Sequence, residues 1–205
     1  MLRDIMRLTD PLQKIGKMKD SITIGLLGGL IGAIFMDMSN LLIFKAGKTE
    51  TLYGYIAGGL FVAPFRTKQR KNFILGEIAH LGIGSIWGVS LTYILKKTGK
   101  DHHLIKGTFI SILSLGSIIG GQKLGVLKKF GLTKTYYSAI WNHFVYGFVS
   151  AQTIVLLADP TIFASSNEIN KETYRQVKPE VSYLNSVGSV LEDKELETTL
   201  TGIKN

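Results

Sequence analysis

The chain has 205 residues, no cysteine, 45% hydrophobic side chains, 23 glycines, 19% charged residues and a formal net charge of +9. The missing thiols exclude disulfide staples and thiolate metal sites, and the apolar, glycine-rich balance belongs to a chain in lipid more than to a soluble domain. Residues 1–164 hold 19 basic and 8 acidic side chains, net +11, and residues 165–205 hold 5 and 7, net −2. The basic residues lie in short clusters between apolar runs and form no single stripe, which points to anionic lipid headgroups as partners and away from nucleic acid.

In chain order, residues 1–20 set Ile5, Leu8, Leu12 and Ile15 at helical spacing among Arg3, Arg7, Lys14 and Lys17, with Pro11 interrupting. This is a basic amphipathic leader, either a short helix on the membrane surface or a polar extension. An apolar run of Ser21 to Phe44 follows, bounded by lysines on both sides. It is longer than a signal-peptide core and has no small-x-small cleavage pattern, so it reads as a retained span. The next apolar piece, Leu52 to Phe65, has 14 residues. At about 1.5 Å per residue it reaches only about 21 Å, which predicts a re-entrant or interfacial segment with its tyrosines and phenylalanine at headgroup level. Further spans are predicted at Asn72 to Leu95, Gly107 to Leu127 and Thr135 to Ala158, the last stopped by Asp159-Pro160. Residues 161–205 read as a polar soluble tail. The predicted fold class is therefore all-α: a transmembrane domain over residues 21–160, built as an integral membrane bundle of four helices with one re-entrant or interfacial segment. Under that layout the basic residues divide 12 to 10 between the two sides, which assigns no orientation.

Glycine pairs spaced by four, Gly25/Gly29, Gly28/Gly32, Gly84/Gly88, Gly116/Gly120 and Gly121/Gly125, predict close helix packing. Ionisable side chains within spans are costly, face the interior and pair. Here they are Asp37 in the first span, Glu77 and His80 in the second and His143 in the fourth, with Asn40, Gln122 and Asn142 as polar companions. If the short segment turns back, helical rise places Asp37, Glu77 and His80 roughly 8 to 12 Å inside one membrane face, with Asn142 and His143 about 10 Å inside the same face. If it crosses, Asp37 lies at the opposite face.

Three chemistries suit such a cluster. Glu77 and His80 form a Glu-x-x-His pair that, with Asp37 and His143, offers metal ligands. Histidine beside a buried carboxylate can relay protons. Alternatively, the groups hydrogen-bond between helices and fix their register. Arg66, Lys68, Arg70, Lys71 and Lys123 flank the same face and would attract anionic lipid or solute, or simply solvate loops. "AGKTE" at 46–50 fails as a phosphate-binding loop because Leu42 stands where its glycine belongs, and Asp101-His102-His103 reads as a solvated turn.

The stretches "FMDMSNLL", "GEIAH" and "YYSAIWNH" give residues 21–160 a layout that resembles small multi-span inner-membrane proteins of bacteria with no assigned activity. The resemblance implies a multi-pass cell-membrane location and carries no reaction. The expected function is a small membrane component that binds or passes a small solute, ion or lipid, or that scaffolds a membrane complex or a homo-oligomer, without a cofactor. The alternative is a membrane-embedded metal-dependent enzyme using Asp37, Glu77, His80 and His143.

Overall fold

A computed structural model describes residues 17–163; the leader up to residue 16 and the tail from residue 164 lie outside the described residues. Four long helices are present: α1 (Ser21–Lys45), α3 (Arg70–Thr98), α4 (His103–Lys123) and α5 (Thr133–Leu157), with a short α2 (Tyr53–Gly58) between the first two. The shortest long helix has 21 residues, about 31 Å at the α-helical rise, so each is long and apolar enough to cross a bilayer.

The bundle encloses an apolar core of Ile24, Leu91, Leu95 and Ile154, but it also exposes large apolar side chains and buries polar ones. Ile34, Phe35, Leu42, Ile78, Ile86, Phe109, Ile140 and Trp141 are exposed, whereas Asn40, Thr92, Ser111, Ser138, Asn142 and Ser150 are buried. Water would penalise that outer surface, while hydrocarbon accepts it.

Packing order follows from small residues. α1 carries two glycine faces. Gly25 and Gly29 mesh with Gly84 and Gly88 of α3, where an added Cβ would strike backbone; Gly28 and Gly32 receive Ile154, Ser150 and Tyr146 of α5. α4 packs on α5 through Gly107 against Gly147 and meets α3 only thinly. Among the described residues, Gly116, Gly120 and, just past α4, Gly125 have nothing within reach of an added Cβ, and Gly121 meets only Leu127. The third span also shifts from its predicted bounds, because Gly125 at φ 77° turns the chain just after Lys123.

Helix ends are capped from nearby and from afar. Asp20 accepts hydrogen bonds from the Ile22 and Thr23 N–H groups and the Thr23 hydroxyl at the start of α1. The Thr23 hydroxyl and then its N–H hold the Asp20 carboxyl below the usual carboxylate range. The Thr161 N–H and hydroxyl do the same for Asp159 just beyond α5, helped by Lys19 and Lys17. Leu132 gives α5 no side-chain cap. Glu50 supplies one from the loop after α1: its Oε1 accepts from the Gly131 and Leu132 N–H groups, and its own N–H donates to Thr135 Oγ1 at 3.3 Å. The "AGKTE" loop thus serves the N-terminus of α5. At the other end, Met18 exchanges backbone hydrogen bonds with Leu157 and Asp159, at 3.0 and 2.8 Å, tying the segment before α1 to the end of α5.

The short segment does not run the length of the bundle. α2 has six residues, about 9 Å, and a 3-10 turn at Pro64–Arg66 leads directly to the start of α3. Gly54 and Gly58 lay α2 against Phe73, Glu77, Asn72 and Gly76 of α3. One expectation is corrected here: Tyr53 is not a headgroup anchor but is buried, 3% exposed, against Ala33, Met36 and Tyr146. Its apolar ring fills the gap that α2 leaves beside three longer helices.

Candidate functional site

The α1–α3 glycine interlock sets the site. Gly25, Gly29, Ala33 and Asp37 recur every four residues on α1, as Gly88, Gly84 and His80 do in the opposite direction on α3. Antiparallel meshing at the glycines carries Asp37 to His80 two turns further on. His80 Nδ1 lies 3.1 Å from Asp37 Oδ1 and 3.2 Å from Oδ2. The Glu77 carboxyl, one turn from His80, sits beside Gly54 and reaches Asp37.

Tyr53 enters this cluster from α2. Its ring stacks on His80 at 4.7 Å between centroids and 6° between planes, and it meets His143 edge-on at 5.9 Å and 76°. Its hydroxyl is directed towards Asn142 without a hydrogen bond of good geometry among the described residues.

α5 supplies the second wall. Ser39 Oγ donates to Asn142 Oδ1 at 2.7 Å, and Asn142 Nδ2 donates to Ser138 Oγ at 3.3 Å. His143 Nδ1 lies 2.8 Å from the Ala139 carbonyl, which can only accept, so Nδ1 carries the proton. The Tyr146 hydroxyl donates to the Gly84 carbonyl at 2.6 Å, fastening α5 to the interlock. Where α3 and α4 part, a cavity of about 50 Å³ remains, bordered by Met36, His80, Trp87, Ser117, His143 and Tyr146. Both imidazoles therefore line it with Nδ1 committed to an acceptor, leaving each Nε2 uncommitted among the described residues.

The structure brings together Asp37, Glu77, His80, Asn142 and His143 as the sequence predicts, and adds Tyr53 and Ser39. Asn40 is buried, but its Oδ1 has no partner among the described residues. Gln122 stays local, donating to the Lys128 carbonyl at 3.0 Å. Among the described residues, no group of three or more His, Asp or Glu side chains is arranged to hold a metal ion. Asp37, Glu77, His80 and His143 therefore gather without forming a ligand shell, since the Asp37 carboxylate is turned to a protonated ring nitrogen. Of Asp101-His102-His103, the first two form an exposed turn as expected, whereas His103 opens α4 and its Nε2 is 3.1 Å from Gln152 Oε1 of α5. Arg66, Lys68, Arg70, Lys71 and Lys123 are all exposed at the end of the bundle nearest the cluster.

Tyr53 was missed because an aromatic residue beside a loop has the look of an interfacial anchor. The available signal was Gly54/Gly58, a small pair that requires a helix partner, and it finds one in Gly76. No family model matches the chain, and neither a curated protein nor a solved structure matches it.

Proposed function

We propose that this chain is a small integral membrane protein of the multi-pass type, in a cell membrane such as the bacterial inner membrane, that binds or passes a small ion through the polar cluster of Asp37, Glu77, His80 and His143. The supporting observation is the placement of two imidazoles, each with Nδ1 held, on one interhelical cavity. The volume supports a small solute. About 50 Å³ accommodates a few water molecules, far below the 300 Å³ or more of sites for organic ligands, which supports a proton or a small bare cation as the cargo. Neutral imidazole and carboxylate are suited to hand a proton along.

Proteoliposomes carrying a pH-sensitive dye and a potassium diffusion potential test this. The wild type conducts protons, and Glu77→Gln and His80→Gln each lower the flux by about tenfold or more, while Thr98→Ser, distant from the cluster, leaves it unchanged. A second reading, in which the cluster only fixes helix register within a scaffold, draws on the Ser39–Asn142–Ser138 chain of hydrogen bonds. Absence of proton or cation flux from well-folded wild-type protein would put that reading first. A metal-dependent enzyme would instead require stoichiometric metal in the purified protein that is lost in Glu77→Ala and His80→Ala.

A further inference from the structure

A second, much larger cavity of about 790 Å³ lies at the end of the bundle where α1 and α4 stop and α3 and α5 begin. Its volume is that of a site for an organic ligand. α2 separates it from the polar cluster: Tyr53 faces the imidazoles, whereas Tyr55 and Ile56 face the cleft. One wall comes from residues 50–68 and the other from residues 125–131.

The lining divides into two chemistries. Lys68 on one wall and Lys128 and Lys129 on the other are exposed. Their ammonium groups make no hydrogen bond or ion pair among the described residues. Among the described residues the one acid in the wall, Glu50, already has its carboxylate on the Gly131 and Leu132 N–H groups. Residues 45–71 and 123–134 together hold ten lysines and arginines against that single acid, so the field in the cleft favours an anion. Beside Thr51, Tyr55 and Thr67, the lining carries an apolar set in which Leu60, Phe61, Val126 and Leu127 are prominent. Apolar exposure continues at the rim, where Phe65 is 84% and Leu124 82% exposed. Such side chains at the end of an apolar bundle belong at the boundary between headgroups and acyl chains.

We propose that this cleft binds one anionic phospholipid, its phosphate between Lys68 and the Lys128–Lys129 pair and its acyl chains over Phe61 and Val126. Inorganic phosphate would use the cations but leave the apolar walls without a partner. A zwitterionic lipid would cover those walls but gain little from the charge. This inference is independent of ion passage through the cluster, because α2 lies between the two sites.

Native mass spectrometry of the detergent-purified full chain, titrated with phosphatidylglycerol or phosphatidylcholine, tests it. Phosphatidylglycerol is retained in preference to phosphatidylcholine. At roughly fivefold per lysine, a Lys68→Gln, Lys128→Gln, Lys129→Gln variant loses about 100-fold in apparent affinity, while Lys45→Gln with Lys48→Gln, outside the cleft wall, loses far less. Ala63→Trp keeps every charge but fills the cleft and also weakens retention, so steric and electrostatic contributions are read separately. Three results would overturn the proposal: equal retention of the two lipids, a triple-lysine variant that binds as the wild type does, or displacement of phosphatidylglycerol by millimolar inorganic phosphate, which would make the site one for a free anion.

Discussion

At the scale of single residues, the Asp37–His80 pair governs proton placement. A carboxylate can only accept, so it fixes the His80 proton on Nδ1, and the Ala139 carbonyl fixes that of His143 in the same way. Imidazole nitrogen-15 spectra of the wild type should therefore show both rings as Nδ1–H tautomers. In Asp37→Asn the charge-assisted hydrogen bond is lost, at a cost of about 1.5 to 3 kcal/mol. His80 then becomes a mixture of tautomers while His143 keeps its signature. An unchanged His80 spectrum would mean that Asp37 does not hold the ring. The common depth of Asp37, Glu77, His80 and His143 was legible from helical rise only on the condition that residues 52–65 turn back, which the sequence left open. Tyr53 and Ser39 were not legible, because their placement depends on how α2 and α1 rotate about their axes, and a count of residues from a helix end fixes depth but not direction.

At the scale of elements, small residues decide which helices touch, but only where a second helix presents a matching face. Gly25/Gly29 and Gly84/Gly88 satisfy that condition; Gly116/Gly120 has the same spacing and faces nothing among the described residues. The sequence pattern is identical in the two cases, and the difference lies in α4, which rests on α5 through Gly107 and leaves its other side turned away from α3. The two sites should therefore respond oppositely to the same substitution. Gly88→Leu drives a side chain into the backbone of Gly25 and Gly29, which cannot yield, and should destabilise the bundle by about 3 kcal/mol or more. It would also part Asp37 from His80. Gly116→Ala removes a helix-weakening glycine at no steric cost and should be neutral or stabilising by up to about 1 kcal/mol. Unfolding in a denaturing detergent titration orders the variants; a tolerated Gly88→Leu would refute the interlock.

At the scale of the whole molecule, the fold hinges on whether residues 46–69 return to the side from which they came. The sequence left this open because 14 apolar residues are too few for a span and too many for a tight loop. The structure resolves the length into a six-residue helix packed on α3 and a turn at Pro64–Arg66. A crossing segment would run α1 and α3 parallel, with Asp37 and His80 measured from opposite faces; the antiparallel meshing of Gly25 with Gly88 and Gly29 with Gly84, continued by the 3.1 Å Asp37–His80 pairing, excludes that. The chain has no native cysteine, so single substitutions report sidedness directly, and Lys48, Lys68, Lys97 and Lys129 are exposed. Lys48→Cys, Lys68→Cys and Lys129→Cys should react with a membrane-impermeant maleimide from the same side of sealed vesicles. Lys97→Cys should react only from the other, because α3 carries it to the far end of the bundle. Labelling of positions 48 and 68 from opposite sides would separate Asp37 from Glu77 and His80 and dissolve the site, whereas common labelling leaves the antiparallel meshing of α1 and α3 as the arrangement that brings carboxylate and imidazole to one depth.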